Sequence, residues 1–209
     1  MKTYRIATIP GDGIGKEVVP AGREVMEALA AAGAGFGFEF ENFEWGGDYY
    51  RQHGAMMPED GLDALRDKDA ILFGSPTDMG GPSWQFKKFA DASSKPWFEG
   101  AWQNKVFGGF TNSASINGDK LNTLEYFVLL TGQHGGIWVN MDIKPANVKA
   151  SKRDDLNRMG SYIAPMAQTP ADASPEEMSA GDLETARRYG ARVAMVAAQL
   201  RAGRTGALK

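Results

Sequence analysis

The sequence contains no cysteine among its 209 residues and only two histidines, His53 and His134. The absence of cysteine excludes disulfides, thiolate metal ligands and cysteine nucleophiles. Two histidines leave little room for a histidine-based metal site, so we expect no metal centre. No apolar run reaches the roughly 18 residues that a membrane-spanning helix requires. We therefore expect no contact with a membrane.

Neither sign of charge dominates the chain. The 23 lysines and arginines are opposed by 26 aspartates and glutamates, which gives a net charge of −3 and argues against a nucleic-acid-binding protein. The first residues lead directly into a strand-like run and show no apolar segment typical of a secretion signal. These observations favour a cytoplasmic globular protein that folds as a single domain over residues 1–209.

Strand-like and helix-like patterns alternate five times along the chain. The continuous apolar run at residues 70–74 is typical of a strand that is covered on both faces. Predicted strands cover residues 4–9, 36–43, 70–74, 106–111 and 136–139, and helical patterns begin near Val18, Met57, Pro82, Leu121 and Asp182. The alternation predicts a doubly wound α/β domain with a parallel sheet. Residues 140–181, which are rich in proline and small polar residues, are predicted to leave this pattern as a long excursion.

Ligands of doubly wound domains bind at the carboxyl ends of the strands, so the loops that follow the strands are the places to search. Residues 10–15 form a glycine-rich loop after the first predicted strand. The backbone amides of Gly13, Ile14 and Gly15 suit a phosphate group at the start of a helix. The alternative is a tight turn without a ligand, which Asp12 favours because its charge repels an anion.

Two further loops, the first polar loop (residues 75–82) and the second polar loop (residues 111–119), consist mostly of small polar residues and glycine. Their amides and hydroxyls suit the polar edge of a planar ring, although each loop alone suits the cap of a following helix equally well. His134 lies before the last predicted strand, where it is either a satisfied structural histidine or a hydrogen-bond donor to a ligand. The aromatic residues between Trp84 and Trp102 are interpreted as core and dimer face, or as a wall for a planar substrate.

A resemblance to a known family covers residues 74–201. The motifs that carry it are GSPT (74–77), MGGP (79–82), WQFK (84–87), KVFGGFTNS (105–113), QHGG (133–136), SPEE (174–177) and ARRYGARVA (186–194). They resemble the flavodoxin-like NAD(P)H:quinone oxidoreductases of the tryptophan-repressor-binding-protein type and related FMN reductases. The resemblance implies a flavodoxin-like, three-layer α/β/α fold whose five parallel strands lie in the order 2-1-3-4-5. It also implies FMN as the cofactor, NAD(P)H as the co-substrate, a small quinone as the acceptor, and a homodimer or homotetramer.

The same resemblance assigns residues to the cofactor. The first polar loop is expected to line the flavin ring, and the second to enclose its pyrimidine side. His134 is expected near the ring face, as the residue at the hydride-transfer site. The implied cofactor-binding residues are Gly13, Ile14, Gly15, Ser75, Pro76, Thr77, Asp78, Met79, Gly80, Gly81, Thr111, Asn112, Ser113, Ala114, Ser115, Gly118 and His134.

The first 75 residues resemble a different family. Residues 9–17 (IPGDGIGKE), 48–50 (DYY), 53–54 (HG) and 56–60 (MMPED) resemble the amino-terminal part of the β-decarboxylating dehydrogenases, with tartrate and isopropylmalate dehydrogenases the most similar. The catalytic and metal-binding segments of that family lie further along its chain and have no counterpart here, so we expect no dehydrogenase chemistry.

The two resemblances meet at residues 69–75, a strand that suits both families. We therefore interpret the chain as a chimera with a dehydrogenase-like half (residues 1–75) and a flavodoxin-like half (residues 76–209). Three functions remain open. The first is an FMN-binding NAD(P)H:quinone oxidoreductase. The second is a hybrid scaffold that binds FMN weakly or not at all, because residues 10–15 contain no hydroxyl side chain for the phosphate. The third is an NAD-binding dehydrogenase-like fragment.

Overall fold

The computed structural model describes residues 2–9, 20, 23, 27 and 36–206 of the chain. Its first sheet has two parallel strands, β1 (Lys2–Thr8) and β2 (Phe36–Asn42), which pair in register from Lys2 opposite Phe36 to Thr8 opposite Asn42. Apolar side chains at alternate positions give these strands an inner face, where Ile6 packs against Ala194. Both strands confirm the sequence prediction to within two residues.

The second sheet is centred on two parallel strands, β3 (Ala70–Asp78) and β5 (Val106–Ser113), which are paired from Ala70 and Val106 to Pro76 and Asn112. The short strand β4 (Gly81–Pro82) folds back antiparallel onto the end of β3. Two short strands then pair parallel to β5. β6 (Ile137–Trp138) pairs with its beginning and β7 (Met166–Gln168) with its end.

This arrangement corrects the predicted single sheet in the order 2-1-3-4-5. Among the described residues no ladder joins β1 to β3, and the chain forms two sheets. Ion pairs between side chains connect the two instead, including Lys68 with Glu41 at 2.6 Å and Arg5 with Asp67. The predicted fifth strand is divided, because the chain leaves the sheet after β6 and returns as β7. The segment that leaves the sheet and the segment that returns to it are joined by a hydrogen bond, which Met141 N donates to Tyr162 O at 3.1 Å.

Five α-helices are described: α1 (Gly47–His53), α2 (Trp84–Ala92), α3 (Ser94–Phe98), α4 (Lys120–Gln133) and α5 (Ala180–Gly206). The predicted helices near Pro82, Leu121 and Asp182 are confirmed as α2, α4 and α5. The helix predicted from Met57 is reduced to a 3-10 helix, Gly61–Leu65, and a second 3-10 helix covers Pro175–Glu177. Most of the helix predicted from Val18 lies outside the described residues.

The helices lie on both faces of the second sheet. Phe73 on β3 contacts the rings of Phe86 on α2 and Phe127 on α4, which places these helices on one face. Tyr189 on α5 covers the other face, where its hydroxyl donates to Val139 O at 2.6 Å and accepts from Gly109 N at 3.3 Å. The main core therefore lies around β3 and β5. No helix among the described residues is both long enough and apolar enough to cross a membrane.

Candidate functional site

The first polar loop is a β-hairpin that extends β3 beyond the sheet. Met79 (φ 47°) and Gly80 (φ 80°) form its two-residue turn, and β4 returns so that Thr77 lies opposite Pro82. Positive φ at both central residues is the geometry of a type I′ turn, which matches the twist of the flanking strands. Along β3 the side chains alternate, so Pro76 and Asp78 are exposed while Ser75 and Thr77 point into the protein. The surface that the loop offers to a ligand consists of the side chains of Pro76, Asp78 and Met79 and the backbone of the turn.

The hydroxyl of Ser75 connects this hairpin to α2. It accepts a hydrogen bond from Ser83 N at 2.9 Å and donates to Pro76 O at 2.8 Å. Ser83 is the N-cap of α2, and its Oγ accepts from Phe86 N at 3.4 Å. Ser75, predicted as a cofactor-binding residue, is therefore buried and already bonded within the protein, so its side chain has a local structural role.

Three buried threonines join both polar loops to α4. Thr77 Oγ1 lies 2.8 Å from Thr111 Oγ1 on β5 and 2.7 Å from Thr123 Oγ1 on α4. All three side chains are buried, so these hydroxyls depend on one another for hydrogen bonds. Sequence reasoning named Thr77 and Thr111 but missed Thr123. The signal was a polar pair, Lys120 and Thr123, spaced three residues apart at the start of a helix face that continues with Leu124, Phe127 and Leu130.

The second polar loop is organised around a buried lysine. Lys120, the first residue of α4, is only 1% exposed, and its Nζ donates to Ser113 Oγ at 2.9 Å and to Ser115 O at 2.6 Å. Burial lowers the pKa of this ammonium group. Gly118 closes the loop with φ 57°, and a Cβ at this position would collide with the Ser113 hydroxyl. Glycine is therefore required here both by conformation and by space.

The end of the excursion supports the second polar loop from the side of β7. Thr169 N donates to Ser113 O at 3.3 Å, and Gln168 Nε2 donates to Ala114 O at 2.8 Å. Gln168 is fixed in turn by Asp182, whose Oδ2 accepts from Gln168 N at 3.0 Å and from Arg153 Nη2 at 2.6 Å. The hydrogen bond with Asp182 raises the pKa of Arg153. These contacts give the predicted excursion a local role in holding the loop.

The two polar loops lie side by side at the carboxyl edge of the second sheet. Asn122 Nδ2 on α4 donates to Gly80 O at 3.2 Å, which joins the start of the helix to the hairpin turn. Ala114 and Ser115 are exposed, and Asn112 is half-buried next to Pro76 in the ladder. Asn112 Oδ1 is itself buried and has no hydrogen-bond partner among the described residues. An acceptor in this state at a loop junction fits a site that a ligand donor completes.

The structure does not bring His134 together with these loops. α4 begins at the second polar loop and runs 14 residues back along the sheet, about 21 Å, so that His134 lies at the opposite edge. The His134 side chain is 3% exposed, its Nε2 lies 2.9 Å from Ser93 Oγ, and its ring lies 4.4 Å from that of Trp102. Burial lowers its pKa. Within one chain His134 therefore lies away from the carboxyl edge. Its contacts with Ser93 and Trp102 fit a structural histidine, whereas its buried Nδ1 has no hydrogen-bond partner among the described residues.

Two further sets of residues that the sequence analysis singled out are the glycine-rich loop and the aromatic cluster. Gly13, Ile14 and Gly15 lie outside the described residues. In the aromatic cluster, Phe86 and Trp102 belong to the core, whereas Trp84, Trp97 and Phe98 are exposed. One part of the cluster therefore packs in the core as expected, and the other part forms a surface, for which a dimer face and a wall for a planar substrate both stay predictions.

Comparison with known proteins identifies the larger part of the chain. Flavodoxin FldP of Pseudomonas aeruginosa is 52% identical over 146 residues, which make up 70% of this chain and 79% of that protein. The chain belongs to the flavodoxin family. The crystal structure of a flavodoxin, a WrbA-like protein from Agrobacterium tumefaciens, matches with a TM-score of 0.65 and 48% identity over 94% of this chain and 98% of that one. The resemblance and the flavodoxin-like fold are confirmed.

The first part of this flavodoxin-family chain matches a second family. The family model of isocitrate/isopropylmalate dehydrogenase covers residues 5–97. A probable tartrate dehydrogenase/decarboxylase, TtuC' of Agrobacterium vitis, is 55% identical over 75 residues, or 36% of this chain. The chain spans only about a fifth (21%) of that relative's length. The two-family interpretation is confirmed, and the family-model match continues past residue 75 through α2 into α3.

Proposed function

We propose that this flavodoxin binds FMN at the carboxyl edge of the second sheet. The observation that carries the proposal is the contact between the two polar loops, at which the Oδ1 of Asn112 has no hydrogen-bond partner in the part of the chain that the structure describes. Membership of the flavodoxin family supports the choice of cofactor. The available groups also suit the polar edge of a flavin ring, because they include an amide side chain and the backbone of an exposed turn.

The chain's own residues would bind and orient the ring. Pro76, Asp78 and the Met79–Gly80 turn would face it from the first polar loop, and Asn112 and Ser115 from the second. The backbone amides of Gly13, Ile14 and Gly15 would hold the phosphate group. When bound, FMN supplies the hydride chemistry, and the protein supplies orientation and electrostatics. In the full proposal NAD(P)H is the hydride donor and a small quinone the acceptor.

The second candidate function is a scaffold with weak or no FMN binding. Residues 10–15 contain no serine or threonine, and Asp12 adds a negative charge close to the expected phosphate position. Each lost charge-assisted hydrogen bond costs about 1.5–3 kcal/mol, so a few of them would weaken binding by orders of magnitude. The match of residues 5–97 to the dehydrogenase family supports a third candidate, an NAD-binding fragment.

Titration of the purified chain with FMN, followed by flavin fluorescence, distinguishes these functions. We expect saturable quenching by FMN and no saturable binding of NAD⁺ in a parallel calorimetric titration. Asn112→Ala should weaken FMN binding about five- to tenfold, because a neutral hydrogen bond contributes about 1 kcal/mol. The control Asn140→Ala removes an exposed asparagine outside both polar loops and should leave the affinity unchanged. Absence of quenching would support the scaffold, and binding of NAD⁺ alone would support the fragment.

The acceptor and the assembly belong to the same proposal. NAD(P)H oxidation by the FMN-loaded protein should accelerate on addition of a simple benzoquinone and should not respond to tartrate. The exposed side chains of Trp97 (47%) and Phe98 (85%) favour a homo-oligomer, because exposed apolar patches often mark interfaces between proteins. Light scattering should therefore give a mass at least twice that of the 22.6 kDa chain.

A further inference from the structure

We infer that Lys120 is a positioning residue whose buried positive charge raises the reduction potential of the bound flavin. The inference rests on the proposed function, because it needs FMN at the edge formed by the two polar loops. It goes beyond that function by assigning a role to a residue that was not among the predicted site residues.

The position of Lys120 is fixed by two hydrogen bonds of its own and by a third that Thr123 makes on the same helix. Its Nζ donates to the hydroxyl of Ser113 at 2.9 Å and to the carbonyl oxygen of Ser115 at 2.6 Å, so the ammonium group lies directly beneath the second polar loop. Thr123, one turn further along α4, is bonded to Thr77 at the base of the first polar loop. The charge is thus fixed at the floor of the site, while the backbone above it, at Ala114 and Ser115, is exposed.

The charges around Lys120 do not cancel it. Among the described residues, Asp182 and Arg153 are the groups with an electrostatic effect on Lys120, and they have opposite signs. Asp182 forms an ion pair with Arg153 at 2.6 Å, so each largely offsets the other. Asp119, the neighbouring residue, and Asp78 of the first polar loop are exposed at the surface, where water screens their charges. The local balance beneath the loop is therefore positive.

The chemistry of flavin reduction gives this charge a consequence. Hydride transfer from NAD(P)H delivers two electrons and one proton, and the reduced ring, once N5 carries that proton, retains a negative charge near N1 and the C2 carbonyl. The oxidised ring is neutral. A fixed cation near the pyrimidine edge therefore stabilises the reduced form selectively, and charge near N1 is one of the means by which proteins tune flavins. By family resemblance this edge faces the second polar loop.

The test compares the midpoint potential of bound FMN in the wild-type chain and in Lys120→Met, Lys120→Gln and Lys120→Arg, by equilibration with a reference dye. We expect the neutral variants to bind oxidised FMN but to lower the equilibrium constant for reduction at least tenfold, which is about 30 mV for a two-electron couple. The Arg variant should restore most of the potential. The control Lys149→Met removes an exposed lysine of the excursion and should leave the potential unchanged.

The outcomes separate this inference from the proposed function. If the wild-type chain binds no FMN, the proposed function fails. If FMN binds and the neutral variants keep the wild-type potential, the proposed function stands and the inference fails. Neutral variants that fail to fold or to bind FMN while Lys120→Arg does both would also overturn it, because Lys120 would then only build the loop. Gln is included beside Met because it retains a donor for the Ser115 carbonyl.

Discussion

Thr77 connects the first polar loop both to the second polar loop and to α4. Its hydroxyl contacts Thr111 on β5 and Thr123 on α4, and all three groups are buried. The sequence marked Thr77 and Thr111 as ligand-binding residues because small polar residues follow the strands. Strand alternation instead turns these two side chains inward, where they fix the loops from below. A ligand would contact the alternate residues Pro76 and Asp78 and the loop backbone.

Replacement of Thr77 by valine should destabilise the protein by about 2–3 kcal/mol. The change removes two hydrogen bonds and leaves two buried hydroxyls with fewer partners, each at a cost of about 1 kcal/mol or more. Urea unfolding of the FMN-free chain measures the difference. Thr169→Val is the matched control, because the Thr169 hydroxyl is buried but has no partner among the described residues. Equal losses from both variants would show that the three-threonine contact contributes nothing.

His134 makes stability dependent on pH. Burial lowers its folded-state pKa below the ordinary value of 6.5, so the unfolded chain binds a proton more readily than the folded chain. The free energy of unfolding should therefore be highest above about pH 7.5 and should fall as the pH decreases through 6.5. His134→Gln should flatten this slope in urea unfolding between pH 5 and pH 8. His53→Gln, at an exposed histidine, is the control, and an unchanged slope in His134→Gln would contradict the assignment.

At the scale of elements, the order of strands and helices was predictable and their extent less so. The alternating Phe36, Phe38 and Phe40 and the apolar run of β3 gave clear signals, because burial dictates those patterns. No sequence pattern indicated the division of the fifth strand, because β6 and β7 have only two and three residues and their pairing with β5 is set by tertiary contacts. The position of His134 was likewise hidden, because the length of α4 carries it to the far edge.

The excursion should control the mobility of the second polar loop. Arg153→Gln leaves the buried carboxylate of Asp182 with fewer hydrogen-bond donors. Asp182 accepts a hydrogen bond from Gln168 N, and the Gln168 side chain donates to Ala114 O in the second polar loop. We expect a loss of about 2 kcal/mol in unfolding free energy, within the range for a charge-assisted hydrogen bond. Amide hydrogen exchange at residues 111–119 should accelerate. Arg158→Gln, at an exposed arginine that donates to Ala146 O, should leave exchange in this loop unchanged.

For the whole molecule, the two sheets correspond in part to the two families. β1 and β2 lie in the part that matches the dehydrogenases, whereas β5 and α4 lie beyond it. Ion pairs of Lys68 with Glu41 and of Arg5 with Asp67 connect the first sheet to the segment before β3, and Ala7 and Phe43 make apolar contacts with the main core. Most of the ion-paired side chains are partly exposed, so their attraction across this junction is weak and is screened by salt.

We therefore expect the first sheet to open before the second. Amides of residues 2–8 and 36–42 should show lower protection from hydrogen exchange than those of β3 and β5. Addition of 0.5 M salt should increase the ratio of the protection factors of the two sheets by about an order of magnitude or less. Mass-spectrometric exchange at low and high salt measures this difference. Arg5→Gln should reproduce the effect of salt at low ionic strength, with Arg51→Gln on α1 as the control. Uniform protection across both sheets would show that they open as one unit.

The hydrogen bond between Met141 and Tyr162 has a consequence for insertions and deletions. Because the departing and returning chains are joined by their own backbones, the exposed residues 147–150 between them can be lengthened or shortened without shifting β5. Length changes there would alter the surface of the excursion, while Arg153 and Asn157 keep the rest of it bonded to α5.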